Sequence, residues 1–390
     1  MSVSRDLGAT PLTERRPAPD LARGGMLLLI ALANVHLYLY GSPTGLRGYP
    51  RELDPADQAV VLVQMVLVDG RAYPLFGLLF GYGITQLARR RLDLGVPVDA
   101  VVRIVRRRGW WLVAIGFAHA ALLFAGDIVG AYGVLALLLA GPLVRASART
   151  LTIIAGLAVA LMTLISAGNG LPVPDDPMAA LWSMTVPEAF LAAAVRLFEW
   201  GVGSVPLQVL AVLGPVAIGV LAARAGHLDE PERHRRLLVR TAVLGIGAAV
   251  LLGLPLALMA AQLWDGGSVA GALLAGAAHG LGGYLGGLGY AAAFGLLAIR
   301  VTRRGAGPAT RALLACGRRS LSCYLAQSLA FVFLPAWTFG VGARIGVWEA
   351  ALAGLGAWLV ILAVAGVSER QCLRGPAEVL LRRLTYGPRR

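Results

Sequence analysis

Long apolar runs recur along the whole chain, separated by short stretches that collect arginine. A helix that crosses a bilayer needs about 20 predominantly apolar residues. Ten segments read as spans: 24–41, 71–88, 109–125, 127–144, 150–168, 205–223, 239–262, 269–299, 320–339 and 345–366. The pattern predicts an all-α, polytopic integral membrane helical bundle of about ten transmembrane helices. Gly126-Asp127 is so short a connection that the third and fourth segments form a tight helical hairpin. Two other stretches are amphipathic rather than spanning. Residues 175–203 mix Asp175, Asp176, Glu188, Arg196 and Glu199 with apolar positions and carry Trp182 and Trp200 near the ends, the pattern of a helix on the outer face. Residues 57–68 form a second, shorter one that enters the second span. The stretch 266–295 is rich in glycine, which lets membrane helices approach closely.

The polar positions between the runs set an orientation. All 35 basic residues are arginine. Thirty of them fall at every second boundary, and only Arg47, Arg51, Arg71, Arg196 and Arg344 lie on the other side. With the acidic residues counted, one side carries +20 and the other −6. Lys and Arg are retained on the cytoplasmic side, so both termini are cytoplasmic. The net charge of +14 is therefore a topology device that also suits anionic lipid headgroups, and nucleic acid is not expected as a partner. The arginines of the N-terminal tail precede a retained first helix, with no cleavage site of the signal-peptide kind.

Composition narrows the classes further. At 57% hydrophobic and 14% charged residues, the chain lies far from soluble domains, which carry about 25% charged residues. A soluble enzyme and a disordered protein are excluded. The three cysteines, Cys316, Cys323 and Cys372, show neither a disulfide framework nor a zinc pattern, and no metal is expected. Nucleophile-elbow, phosphate-loop, zinc-protease and EF-hand motifs are absent, and the lack of lysine excludes Schiff-base chemistry. A break at 224–240, a basic cytoplasmic linker, separates a tail (1–23) and a six-helix half (24–223) from a four-helix half with a basic tail (241–390).

Ionisable groups at membrane depth are costly and mark function by default. Asn34 and His36 lie near the outer end of the first helix, Asp69 and Arg71 open the second, and His119 and Asp127 flank the hairpin between the third and fourth. His279 lies about ten residues into the eighth helix, and Glu349 opens the tenth. Asp69 and Arg71 stand two residues apart and do not face each other on a continuous helix. Gly70 between them permits a kink. They form either an interfacial pair or a charged group facing a cavity, with Arg71 suited to phosphate or carboxylate. His119 and Asp127, eight residues apart across a turn, can share the mouth of the bundle. A carboxylate there raises the basicity of the histidine and fixes its tautomer, as general base catalysis or a proton relay requires. His36 is another candidate base. His279 suits either a hydrogen bond inside the glycine-rich bundle or a ligand contact. Ser320, Ser322, Tyr324 and Gln327 read as capping and interhelical hydrogen-bonding groups.

Several motifs in order carry a resemblance. They are Asp20-Leu-Ala-Arg-Gly24 before an apolar helix reaching Asn34 and His36, and Asp69-Gly-Arg71 leading to Leu75-Phe-Gly-Leu-Leu-Phe-Gly81. Gly116-Phe-Ala-His-Ala, Gly126-Asp-Ile and Tyr132-Gly133 follow, then Gly317-Arg-Arg-Ser-Leu-Ser-Cys-Tyr-Leu-Ala-Gln-Ser328 and Gly375-Pro-Ala-Glu-Val-Leu-Leu-Arg-Arg-Leu-Thr-Tyr386. Over nearly its whole length the sequence resembles the YeiB-like membrane proteins, domain of unknown function 418. That family looks like a distant relative of transmembrane acyltransferases such as heparan-α-glucosaminide N-acetyltransferase. The Asp20/Arg23-Gly24 opening is the shared feature. The resemblance implies transfer of an acyl or acetyl group from cytoplasmic acyl-CoA to an acceptor across the membrane, with a membrane-embedded histidine. In those enzymes that histidine lies in a longer aromatic-rich stretch between the first helices. Residues 42–68 hold none here, and His36 is nearest.

On this reading the catalytic candidates are His36, Asp69, Arg71, His119 and Asp127. The substrate-binding candidates are Asn34, His279 and the cytoplasmic Arg103, Arg106 and Arg107, where the CoA phosphates would be held, with Arg108 beside them. The expected partners are membrane lipids, acyl-CoA and an envelope or lipid-linked acceptor, with a homo-oligomer left open. The expected location is the bacterial plasma membrane. The alternatives are a small-molecule transporter or exporter, and a scaffold without a deep polar site. A transporter predicts discontinuous helices and a site at mid-membrane.

Overall fold

The computed structural model describes residues 16–172, 177–333 and 341–387. Its helices are α1 (Pro17–Val35), α2 (Pro55–Leu67), α3 (Ala72–Asp93), α4 (Val98–Leu122), α5 (Val129–Arg145), α6 (Ala148–Ser166) and α7 (Ala189–Phe198). After these come α8 (Val205–Arg224), α9 (Arg235–Ala260), α10 (Val269–Arg304), α11 (Pro308–Arg318), α12 (Ser320–Phe333), α13 (Val347–Arg370) and α14 (Pro376–Tyr386). The described residues contain isolated bridges but no strand. The chain is an all-α multi-pass membrane bundle.

Local chemistry explains where the helices start. The side chains of Asp54, Ser147 and Ser268 accept hydrogen bonds from the backbone N–H groups of Asp57, Thr150 and Gly271. Such caps satisfy donors that a helix cannot satisfy internally. Proline stands in the first turn of α1, α2, α11 and α14, where its missing N–H costs nothing. Glycine sets how closely the helices cross. A Cβ at Gly81 would collide with Val216 O, and one at Gly219 with Leu78 O, so α3 and α8 touch backbone to backbone. Gly24 and Gly317 do the same for α1 and α11.

Every segment read as a span is largely helical where described, but not all are equally long and apolar. Among the described residues, seven stretches meet both demands: Pro17–Tyr38, Pro55–Asp93, Ala148–Gly170, Ala189–Arg224, Arg235–Ala260, Val269–Arg304 and Val347–Arg370. Segments 127–144 and 320–339 correspond to the shorter apolar helices α5 and α12, and residues 334–339 fall outside the described residues. Segment 109–125 is the apolar half of α4, whose first half carries four arginines. The outer faces of α6 and α13 leave Leu157, Leu161, Leu164, Leu352, Val360 and Val364 exposed, as lipid-facing helices do.

Two expectations change. Residues 175–203 do not make an independent helix on the outer face. From Ala189 onward α7 runs through a wide turn, Glu199–Ser204, into α8 as one apolar stretch. Arg196 is buried because its guanidinium donates to Ala121 O at 3.0 and 2.8 Å. Asp175 and Asp176 lie outside the described residues. The second span is also longer than 71–88 and is broken. It comprises α2 and α3, interrupted at 68–71, where Gly70 adopts φ +76°. Only glycine adopts that angle readily.

The arginine-rich ends of the helices are tied by charge. Asp20 pairs with Arg23 at 3.4 Å and Arg318 at 3.6 Å, and Glu369 receives both Arg318 and Arg319. Glu378 of α14 accepts from Leu321 N at 2.7 Å and Ser322 N at 3.2 Å, capping α12 from another helix. The Asp20 and Gly317 motifs therefore meet at one corner, a role in architecture that their separation in the chain conceals.

Candidate functional site

Buried ionisable groups gather in two places away from that corner. The first is the α4–α5 hairpin. α4 ends at Leu122, and the N–H groups of Leu123 and Phe124 close on His119 O. The chain then turns so that Asp127 Oδ2 accepts from Gly130 N at 2.7 Å, anchoring the carboxylate at the start of α5. Its other oxygen, Oδ1, lies 2.8 Å from His119 Nδ1. His119 is 3% exposed and Asp127 0%. An ionised carboxylate only accepts, so Nδ1 carries the hydrogen and Nε2 keeps its lone pair. That Nε2 is buried and has no hydrogen-bond partner among the described residues. The approach depends on glycine, since a Cβ at Gly116 would meet both Gly130 N and Asp127 Oδ2. Tyr324 of α12 completes the corner. Its hydroxyl donates to Asp127 Oδ1 at 3.5 Å, accepts from Ile128 N at 3.4 Å, and its ring centre lies 5.2 Å from that of His119.

The second cluster sits at the break between α2 and α3. Arg47, from the 36–54 connection, donates to both oxygens of Asp69 at 2.9 Å. Asp69 Oδ2 also lies 3.1 Å from His279 Nε2 on α10. The carboxylate holds the Arg47 guanidinium above its usual range. Arg71 points into the bundle, donating to Asp69 O and, at 2.8 Å, to Ala249 O on α9. Its Nη1 lies 3.3 and 3.2 Å from the two ring nitrogens of His279. Arg71 is 0% exposed. A Cβ at Gly253 would collide with the guanidinium, so the glycines of α9 and α10 make room for it.

The sequence candidates thus separate. Asp127 and His119 meet each other, whereas Asp69 and Arg71 meet His279. His36 joins neither carboxylate directly. Its Nε2 is 3.2 Å from Arg47 O, and its ring stacks on Tyr49 at 4.1 Å. Tyr49 in turn donates to Gln64 at 3.1 Å. His36 therefore packs under the connection that carries Arg47. Asn34 is half-buried in the last turn of α1 and makes no side-chain hydrogen bond among the described residues. Arg103, Arg106 and Arg107 are exposed on the first half of α4, with Arg107 donating to Leu384 O at 3.1 Å.

Sequence reasoning missed Arg47 and Tyr324 as site residues. Arg47 stood out only as one of five arginines on the sparse side. Tyr324 looked like a capping residue, and nothing in helical spacing reveals that α12 lies against the α4–α5 turn.

Residues 222–388 match the family model described as protein of unknown function, DUF418. The uncharacterized protein YxaH of Bacillus subtilis strain 168 is 26% identical over 282 residues, 63% of this chain and 68% of YxaH. The family match takes in His279 and Tyr324, while Asp69, Arg71, His119 and Asp127 precede it. Through residues 222–388, the chain is similar to the DUF418 family.

Proposed function

We propose that the protein is a membrane acyltransferase of the bacterial plasma membrane, with His119 as general base and Asp127 as its orienting carboxylate. The acceptor is a hydroxyl or amine of an envelope or lipid-linked molecule, and the donor is cytoplasmic acyl-CoA. Nε2 of His119 takes the acceptor proton as the acceptor attacks the thioester carbonyl carbon. The carbon–sulfur bond breaks, and the imidazolium returns the proton to the leaving thiolate, giving free CoA. Asp127 stabilises the imidazolium in between. One observation carries the reading: a buried histidine held at Nδ1 by a carboxylate at 2.8 Å while Nε2 has no partner among the described residues. His36 Nδ1 is also buried without a partner among the described residues, but the other ring nitrogen of His36 meets a backbone carbonyl, whereas that of His119 meets a carboxylate. Arg103, Arg106 and Arg107 would meet the CoA phosphates on the cytoplasmic face.

The test is thioester cleavage by purified protein in nanodiscs, read as released CoA thiol, for wild type, His119→Ala and His36→Ala. Turnover lost in the folded His119 variant and kept in the His36 variant supports the reading. No turnover in wild type with any short acyl-CoA overturns it. A second reading, transport of a small molecule, draws on the break in the α2–α3 span, where ionisable groups gather. Substrate-dependent flux into proteoliposomes without acyl transfer would favour it.

A further inference from the structure

The charges at the helix break do not balance. Asp69 is fully engaged, with Arg47 on both oxygens and His279 on one. His279 donates to Asp69 through Nε2, so its Nδ1 carries a lone pair. A second ring proton would set a positive charge against Arg71 Nη1, 3.3 Å away. In the neutral ring Nε2–H donates to Asp69 and Nδ1 accepts from Arg71, so only this state avoids a second positive charge against the guanidinium. Two guanidiniums and one carboxylate then leave one positive charge over. It sits on Arg71, which has no ion-pair partner among the described residues, and its Nε is buried with no hydrogen-bond partner there.

Depth makes this costly. Ala249, which Arg71 touches, lies 11 residues before the end of α9, and His279 lies 10 residues after the start of α10. At about 1.5 Å per residue both are about 15–17 Å from those ends. That is half of a hydrocarbon core about 30 Å thick. A charge at that depth costs about 2.5–3.5 kcal/mol even on the mildest scales. The first turn of α3 adds positive potential at the same point. A route to water exists on one side, because the Arg47 side chain is 31% exposed.

From this surplus we infer that the Arg47–Asp69–His279–Arg71 network binds an oxyanion, a phosphate or carboxylate group, with Arg71 as its counter-ion. The anion enters past Arg47, bridges the two guanidiniums, and leaves Asp69 with its hydrogen bond from His279. Asp69 competes with the ligand for Arg47, so it tunes affinity downwards. The site is separate from the His119 corner, and binding there can be read without any turnover, so either reading can fail alone.

The experiment uses the full chain in phosphatidylcholine nanodiscs and follows the thermal midpoint. One arm adds inorganic phosphate or acetate, with chloride at equal ionic strength as reference. The other replaces part of the lipid with phosphatidylglycerol and adds no anion. A saturable rise with phosphate or acetate identifies a soluble oxyanion, because a ligand that binds only the folded state stabilises it by mass action. A rise confined to the phosphatidylglycerol discs identifies a lipid headgroup. In either case Arg71→Met abolishes the rise and Arg233→Gln, on the exposed 224–240 loop, keeps it. Asp69→Asn shifts the response to lower phosphate concentration, which decides the matter if Arg71→Met does not fold. No response in either arm, a full response in Arg71→Met, or a weaker response in Asp69→Asn overturns the proposal.

Discussion

The α4–α5 corner and the α2–α3 break both bury a carboxylate beside a histidine, yet they are built for different ends. At the corner, Asp127 is held by one backbone N–H, one ring nitrogen and one long contact from Tyr324. No guanidinium touches it among the described residues, and the histidine keeps one nitrogen unengaged. At the break, Asp69 is clamped by an arginine in a two-point pair, and both nitrogens of its histidine lie within reach of a charged group. A carboxylate saturated by arginine has little negative potential left to stabilise an imidazolium. A carboxylate held by neutral donors keeps it. The same two residue types thus make a pair held by neutral donors at one place and an arginine-clamped network at the other.

The sharpest way to break this contrast is to remove the two histidines separately. His119→Ala is expected to lower acyl-transfer turnover by about 10²–10⁴-fold, the usual contribution of a general base. Asp127→Asn is expected to lose most of the same factor while leaving thermal stability close to wild type, because the amide still accepts from Gly130 N. His279→Asn should leave turnover within about tenfold of wild type. Equal losses in His119 and His279 variants would erase the distinction between the two clusters.

Stability reads the second half of the contrast. Asp69→Ala strands the Arg47 guanidinium and removes the acceptor of His279. Removing one member of a buried pair costs about 3–5 kcal/mol, and the expected loss lies at the low end because Arg47 is partly exposed. Arg71→Met strands no carboxylate, since Asp69 keeps Arg47 and His279. Its expected change in unfolding free energy is within about 1 kcal/mol of zero, as for buried ions replaced by apolar groups of similar volume. Denaturation in matched detergent compares them. If Arg71→Met proves as destabilising as Asp69→Ala, Arg71 is a structural strut.

What was legible in the sequence follows the same division. A long apolar run in lipid can satisfy its backbone only as a helix, so the spans were readable one by one. His119 and Asp127 were readable as a pair because a short turn joins them and fixes who meets whom. The similarity to DUF418 over residues 222–388 was readable from motifs such as Gly317-Arg-Arg-Ser320. The edges of the break were legible, in the separate stretch 57–68 and in Gly70, but not that its two sides form one interrupted span. Val66-Leu-Val68 and Ala72-Tyr-Pro-Leu75 are apolar on both sides of Asp69-Gly-Arg71, so hydropathy reads through it. The partners of Asp69 were hidden for another reason. Arg47 is 22 residues away and His279 is 210. Periodicity tells which face of a helix is apolar and not which helix lies beside it. The stretch 175–203 misled because Arg196 and Glu199 serve local contacts, with Ala121 O and Ser183 N, rather than an interfacial face.

Two smaller substitutions probe the corner itself. Gly116→Ala inserts a methyl against Gly130 N and Asp127 Oδ2, where the neighbour is largely backbone and cannot swing aside. Overpacking of this kind costs about 1–3 kcal/mol, and the widened hairpin should lengthen the His119–Asp127 contact and lower turnover with it. Tyr324→Phe should do less. The phenylalanine ring still packs on His119, and the lost hydroxyl contacts are long, 3.5 Å to Asp127 and 3.4 Å from Ile128 N. The expected loss is about 0.5–1.5 kcal/mol, the net worth of an ordinary hydrogen bond, with turnover reduced only severalfold. If Tyr324→Phe instead removes turnover as completely as His119→Ala while the protein stays folded, the hydroxyl touches the reacting atoms. The corner would then be a three-residue centre, with a phenol supplying or taking a proton beside the imidazole.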